Sequence, residues 1–356
     1  MASDFIVAGV MSGTSLDGLD IALCGFEELH SKWHFEVLAT ATIPYSQEWK
    51  KRFSEVFNSD AVTLARLHAD FGQYIGDCVL EFIQANEIEP DLVSSHGHTI
   101  FHQPDKGFTF QAGCGAAIAA VTGIDTVCDL RSTDVALGGQ GAPLVPIGDF
   151  HLFGGHRFCL NLGGIANISY DEGEQRIAFD ICPVNMALNH LAEKTGMAYD
   201  EGGEIAMRGE INMELLNRLN QLDFYKQKAP KSLGREWFEN SFLPLIEDEK
   251  YSIEDRMRTV VQHIGVQIAN CLSLSPGTTM LTTGGGAYNN LLIEVIEEQV
   301  SRHGIHVIVP DDTIVEFKEA IIFAFLGLLR SLELPNSLAT VTGARENSIG
   351  GAVYKG

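Results

Sequence analysis

The places where this sequence could do chemistry are three glycine-rich turns, each directly after an apolar run. They are Ser12-Gly13-Thr14-Ser15-Leu16-Asp17-Gly18, Asn161-Leu162-Gly163-Gly164-Ile165-Ala166-Asn167 and Thr282-Thr283-Gly284-Gly285-Gly286-Ala287-Tyr288-Asn289-Asn290. Without a Cβ, glycine lets backbone N–H groups close around a bulky anion, and a ring of such groups holds phosphate without a lysine. Thr14 and Ser15 add hydroxyl donors. Asp17 and Asp20 offer hard oxygen atoms able to hold Mg²⁺ through water, as is usual in nucleotide sites. One such turn would say little, because hairpins need glycine for their own geometry. Three in one chain point to a nucleotide. The residues expected there are Gly13, Thr14, Ser15, Leu16, Asp17, Gly18, Leu19 and Asp20, then Gly163, Gly164 and Asn167, then Gly284, Gly285, Gly286 and Asn289.

Two familiar nucleotide motifs are missing. No G-x-x-x-x-G-K-[ST] occurs, and no G-x-G-x-x-G opens a strand-to-helix turn. What is left is an arrangement in which β-hairpins from two domains grip the phosphates. A competing chemistry comes from His96, His98 and His102 with Asp129 nearby, since H-x-H spacing suits imidazole ligands of a transition metal. Histidines clustered in this way are also common as polar loop residues.

The elements that must position these turns follow from apolar spacing. Phe5–Met11 and Leu19–Cys24 read as strands around the first turn, and Phe35–Ile43 as a third. Leu67, Phe71, Tyr74, Ile75, Cys78, Val79 and Phe82 follow a helical period, and Pro90 stops the helix. Leu92–Ser95 leads a strand into a loop His96–Thr99, Ala116–Val121 reads as helix, and Ile124–Cys128 as strand. The pattern then restarts. Arg157–Leu162 and Ile168–Tyr170 flank the second turn, Gln175–Asp180 is a third strand, and Met186–Lys194 a helix. Helices Arg258–Leu274, Asn289–Arg302 and Glu316–Leu332 alternate with strands Thr279–Thr282 and His306–Val309. Both halves thus read strand, glycine turn, strand, strand, then alternating helices and strands. That repetition predicts two mixed α/β domains, 1–150 and 151–356, with a seam near 131–156 and room for the C-terminal segment to return to the first domain.

Bulk properties set outer bounds. A chain of 356 residues supports two domains that each bury a core, and 45% hydrophobic with 20% charged residues is globular composition. A formal charge of -23 opposes nucleic-acid or anionic-membrane binding, which need clustered Lys and Arg. The seven cysteines include no C-x-x-C pair and lie mostly in apolar runs, which fits a reducing compartment. No basic region precedes the first apolar run, and Ala320–Leu329 is too short to span a bilayer. The expectation is a cytoplasmic protein.

Longer stretches then carry a resemblance. Val10-Met-Ser-Gly-Thr-Ser-Leu-Asp-Gly-Leu-Asp20, Ser95-His-Gly-His-Thr-Ile-Phe-His102, Asp129 to Pro146, Asn161 to Ile168, Thr283 to Asn290, Phe317 to Ala320 and Val341 to Ala344 resemble, in order, the anhydro-N-acetylmuramic acid kinases. The resemblance implies the two-domain actin/hexokinase-like fold, with nucleotide in the interdomain cleft, a small-molecule sugar substrate, ATP with Mg²⁺, and a homodimer. It implies a reaction in which water opens the 1,6-anhydro bridge while O6 takes the γ-phosphate. Asp180 would then be the base, with Arg131, Asp134 and Glu319 at the sugar, together with His98 and Thr99. Read from the residues alone, Asp180 is equally an N-cap for the helix that follows, and Arg131 with Asp134 a surface ion pair.

The chain also departs from the family. Where the family commonly reads Thr-Gly-Pro-Gly-Asn after the base, Ile181-Cys182-Pro183-Val184-Asn185 stands here. Two glycines and a hydroxyl are lost at a turn expected close to substrate, which predicts weakened or redirected turnover. Asn189-His190 replaces an acidic residue, and His98 a glutamine. The alternatives are therefore a related kinase with an altered sugar, or an inactive, actin-like ATP-binding switch.

Overall fold

Apolar runs on either side of the first glycine turn pair as a hairpin. In the computed structural model, which describes residues 3–13, 15–173 and 175–356, β1 (Phe5–Ser12) and β2 (Gly18–Leu29) are antiparallel, with Phe5 opposite Phe26 and Ser12 opposite Leu19. β3 (Lys32–Pro44) returns beside β2. β4 (Leu92–Gln103) lies parallel to β1, so a crossover must join them, and the helix Ala61–Asn86 supplies it. Its Leu67, Phe71, Ile75, Cys78, Val79 and Ile83 form the buried stripe. The Asp60 carboxylate accepts from Thr63 N–H to start the helix, and Glu87 in the left-handed region (φ 55°) ends it. β5 (Phe108–Ala112) folds back on β4, and β6 (Thr126–Cys128) adds a further parallel strand.

The second series repeats the plan. β7 (Phe158–Leu162), β8 (Ile165–Glu172) and β9 (Gln175–Pro183) form an antiparallel meander. β10 (Thr278–Thr283) joins β7 in parallel, and β11 (Ile305–Ile308) joins β10. The final strand, β12 (Ala352–Tyr354), is antiparallel to β6. The sheets therefore run β12-β6-β4-β1-β2-β3, with β5 on β4, and β11-β10-β7-β8-β9. Two α/β units with mixed sheets result, as the alternation predicted.

By compactness, one unit comprises Met1–Leu152 with Phe317–Gly356, and the other Phe153–Glu316. Phe317–Gly356 groups with the N-terminal segment because the helix Asp312–Ser331 feeds apolar residues into that unit. A Cβ on Gly9 would lie 2.0 Å from the Ala320 carbonyl, so glycine is what lets β1 touch this helix. Ser94 Oγ donates to the Phe323 carbonyl at 2.5 Å. In the other unit, Leu160, Ile168, Ile181, Leu188, Ile264 and Leu292 belong to one buried cluster. No helix among the described residues is long and apolar enough to cross a membrane.

Several boundaries differ from expectation. His96–Thr99 is not a loop, since β4 continues to Gln103. Gly97 has φ +72° and a Cβ there would meet the Ala112 carbonyl at 2.4 Å, so its glycine serves close pairing with β5. β9 runs past Asp180 to Pro183, and the N-cap of the helix Asn185–Glu193 is Val184, so Asp180 is not a cap. A helix Val145–Leu152 occupies part of the supposed seam.

Candidate active site

In the first unit the β1–β2 turn is supported from below. Tyr45 Oη donates to Ser12 Oγ at 2.6 Å, and Ser12 Oγ bonds His98 Nδ1 at 2.9 Å. His98 is stacked on Phe53, with ring centroids 4.0 Å apart, and burial lowers its pKa to about 4. A neutral His98 with Tyr45 donating to Ser12 leaves the serine proton for Nδ1. His98, expected near the sugar, is therefore turned inward as a prop for the turn; its 5% exposure leaves no face for a ligand. Leu19 is also fully buried, so only its backbone can serve a nucleotide.

The turn's outer residues are available. Ser15 and Asp17 are exposed, and Leu16 holds φ 61°, a left-handed conformation that strains a branched side chain. Thr14 lies outside the described residues. Asp20, half-buried, accepts from Thr42 Oγ1 at 2.6 Å.

The glycines separate into two kinds. A Cβ on Gly18 would meet the Ile43 carbonyl at 2.7 Å, one on Gly284 (φ +83°) Asn161 Oδ1 at 2.6 Å, and one on Gly286 Leu162 Cβ at 2.7 Å. These are glycine because the fold is tight. A Cβ on Gly13, Gly164 or Gly285 would find nothing nearer than Ser15 Oγ at 3.5 Å, Met186 Cε at 3.8 Å and Asn185 Nδ2 at 3.5 Å, and none of the three has a left-handed φ. Among the described residues nothing internal requires glycine there, and the backbone is open to an approaching group. Gly163 is intermediate, with Asn161 Nδ2 at 3.3 Å. Asn289 is buried and caps the helix Asn290–Ser301 by accepting from Leu292 N–H.

Asp180 stands at a break in the ladder. Asn167 pairs with Asp180 and Ala166 with Cys182, so Ile181 is an extra residue that bulges β9. One carboxylate oxygen, Oδ2, accepts from Ser232 Oγ at 3.1 Å and Leu233 N–H at 2.8 Å. The other, Oδ1, takes no hydrogen bond among the described residues. Burial raises the pKa of the carboxyl, opposed by the Leu233 and Ser232 bonds. The sequence held no signal for the 231–233 segment, since nothing in Lys231-Ser232-Leu233 marks it as a partner of β9.

The residues expected at the sugar fall into distinct roles. Arg131 donates from Nε to His96 Nε2 at 2.9 Å and from Nη1 to the Gly141 carbonyl at 2.7 Å. His96 therefore accepts at Nε2 and carries its proton on Nδ1, 2.8 Å from the Gly97 carbonyl. Burial lowers the pKa of Arg131 to about 10, against the pull of Glu319 and Asp134. Glu319 keeps solvent access, yet surrounding protein raises its carboxyl, opposed by Arg131 and Lys318 and reinforced by Asp20. Thr99 is half-buried, 3.4 Å from Gln111 Nε2.

Asp134 is not a surface residue. At 0% exposure, its Oδ1 accepts from Ser337 and Thr342 hydroxyls at 2.8 and 2.7 Å, and Oδ2 from Gly141 N–H at 2.8 Å. The carboxylate is satisfied by the protein itself, tying the 337–342 segment to the loop before Pro143. Thr342 lay in a recognised stretch without a role, and Ser337 carried no signal.

The histidines His96, His98 and His102 take different partners, His102 bonding Thr109 Oγ1 at 3.1 Å, and they do not converge with Asp129. Among the described residues no group of three or more His, Cys, Asp or Glu is placed to hold a metal. The departure after Asp180 is equally internal. Ile181, Cys182 and Val184 are all 0% exposed, and Val184 has φ −123°, outside the left-handed region that favours glycine. The expected loss at a ligand-facing turn is corrected: these side chains fill the core beneath it.

Comparison with known proteins shows the family. Residues 5–356 match the family model described as anhydro-N-acetylmuramic acid kinase. The chain is 36% identical to the anhydro-N-acetylmuramic acid kinase of Vibrio cholerae serotype O1, covering 99% of each. It is 34% identical to that of Synechococcus elongatus, over 98% of this chain and 99% of the relative. For Bacillus cereus the identity is 32%, over 98% of each.

Proposed function

Because the chain belongs to the anhydro-N-acetylmuramic acid kinase family, we propose that it is an ATP-dependent kinase that opens the 1,6-anhydro ring of anhydro-N-acetylmuramic acid and phosphorylates O6. The observation that carries this reading is the lopsided hold on Asp180: Oδ2 is fixed by two donors while Oδ1 is left to a water. Asp180 takes a proton from that water as its oxygen bonds to C1 and the C1–O6 bond breaks. O6 then takes the γ-phosphoryl group, and ADP leaves. A carboxyl with a raised pKa is a better match to this task than an ordinary aspartate.

Gly13, Gly164 and Gly285 bring backbone N–H groups to the phosphates, with Ser15 adding a hydroxyl and Thr14 expected to add another. Gly18, Gly284, Gly286, Leu19, Asn167 and Asn289 hold these turns in shape. Mg²⁺ carried with the nucleotide would be held through water by the exposed Asp17 or by Asp20, and would neutralise phosphate charge. Glu319, Arg131 and Thr99 bind the sugar, while Asp134 and His98 hold the backbone on which they stand. That the unusual residues 181–184 face the core favours the family's own sugar over an altered one. All seven cysteines are free, consistent with a cytoplasmic setting and a product that enters amino-sugar metabolism during cell-wall recycling. The homodimer implied by the family is part of the same proposal.

The test is Asp180→Asn. Sugar-dependent ADP release should fall by about two to four decades with ATP binding unchanged. Turnover within a few-fold of the parent removes Asp180 from the role.

A further inference from the structure

The segment that grips Asp180 is itself anchored by a chain of buried contacts. His263 is fully buried, and burial lowers its pKa to about 3, so it is neutral. Its Nδ1 is 2.6 Å from Asn220 Oδ1, an acceptor that also receives Gln267 Nε2 at 2.9 Å. His263 must therefore donate from Nδ1 and accept at Nε2, where Tyr225 Oη lies at 2.9 Å and donates. This fixes the turn Asp223–Lys226. Lys231 is seated on that turn, its ammonium 4.5 Å from the centroid of the Phe224 ring and 6.0 Å from that of Tyr225. The Lys231 carbonyl accepts from Asp180 N–H at 3.0 Å, and the next two residues supply both donors to Asp180 Oδ2.

We propose that Lys231 is a positioning residue for the base, acting by holding Ser232 and Leu233 against Asp180 through its seat on Phe224 and Tyr225. The inference rests on Asp180 being the base. β9 is the edge strand of its sheet, and on its open side Asp180 N–H bonds this segment. Ser232 is exposed, so within the segment the buried Leu233 and the seat of Lys231 on the rings hold it in place. The influences on the Asp180 carboxyl are burial, Leu233 N–H and the Ser232 hydroxyl, with no charged neighbour among them. The charge of Lys231 bears instead on Cys182 and Cys271. Removing Lys231 should thus alter Asp180 through the position of the segment. The two donors favour the ionised carboxylate, so loosening them raises its pKa further and reduces the fraction ready to act.

Lys231→Ala should lower kcat at least about tenfold and move the acid limb of kcat against pH upward by about half a unit or more, with KM for ATP within about twofold. Lys231→Arg keeps a cation on the rings and should restore kcat to within about threefold. Ser232→Ala removes one donor directly and should move the limb the same way by less. An unmoved acid limb in Lys231→Ala, even with a lower melting temperature, overturns the inference and leaves a structural role alone. If Lys231→Ala does not fold, an unmoved limb in Ser232→Ala overturns it equally. Asp180→Asn separates the two ideas: if it stays active, the base assignment fails first; if it is inactive and Lys231→Ala is normal, only the positioning fails.

Discussion

The two units place an acidic residue at matching points of the same hairpin, on opposite strands. In the first, Gly18 faces Pro44, Leu19 faces Ile43 and Asp20 faces Thr42. In the second, Ile165 faces Pro183, Ala166 faces Cys182 and Asn167 faces Asp180. The sheet orders β3-β2-β1-β4-β6 and β9-β8-β7-β10-β11 correspond strand for strand. Yet Asp20 accepts from Thr42 across its own ladder, whereas Asp180, paired with Asn167 beside the bulge at Ile181, accepts from Ser232 and Leu233. Beside a single inserted residue, an acid takes its partners from a separate segment and not from the facing strand.

The largest effect that would test this contrast lies beneath the bulge. Ile181→Thr, Cys182→Gly and Val184→Gly together would restore the family's residues, and from sequence alone should strengthen turnover. The structure reverses that expectation. Each removed group is fully buried, and lost burial with added backbone freedom should destabilise the unit by about 3–5 kcal/mol. Chemical denaturation of the triple variant beside the parent measures it. An unchanged midpoint with a higher kcat/KM would show that the bulge does not depend on these side chains.

A middle-sized effect would separate glycines that tight packing requires from glycines proposed to meet the ligand. Gly164→Val has room, so the protein should fold normally and lose ATP affinity by about tenfold or more. Gly18→Val meets the Ile43 carbonyl and should instead destabilise β2–β3 pairing. Calorimetry with ATP and thermal melts, run on both variants, should give opposite outcomes. Normal ATP binding by Gly164→Val would exclude its turn from the phosphate site.

The last effect, smallest for a single histidine over one pH unit, is shared by both units, since each buries a neutral histidine: His98 with a pKa of about 4, His263 with one of about 3. The unfolded chain protonates near pH 6.5 and the folded one does not. Stability is therefore fully present above about pH 6.5 and is lost as pH falls toward 4, at about 1.4 kcal/mol per unit for each histidine. His98→Gln, the family's usual residue, should flatten the first unit's share of that slope. Denaturation midpoints at pH 7, 6 and 5 for parent and variant decide it.

Apolar periodicity and glycine placement were enough to read out both meanders, the crossover helix and the repeated plan, because each is a local property of neighbouring residues. The sequence also marked Asp180 and the glycine turns through motif. It could not say which glycines were open, because that depends on whether a distant carbonyl lies near the missing Cβ, as Ile43 does for Gly18 and none does for Gly164. Nor could it assign Asp134, which reads as a surface acid until Ser337 and Thr342 are brought to it from the far end of the chain. His98 reads as a polar loop residue until Phe53 covers it. The residues after Asp180 look like a damaged turn until Ile181 proves to be a bulge and Val184 core. In each case the residue type was visible, but burial and hydrogen-bond partners are set by long-range packing, and those alone decide whether a polar group serves the fold or the ligand.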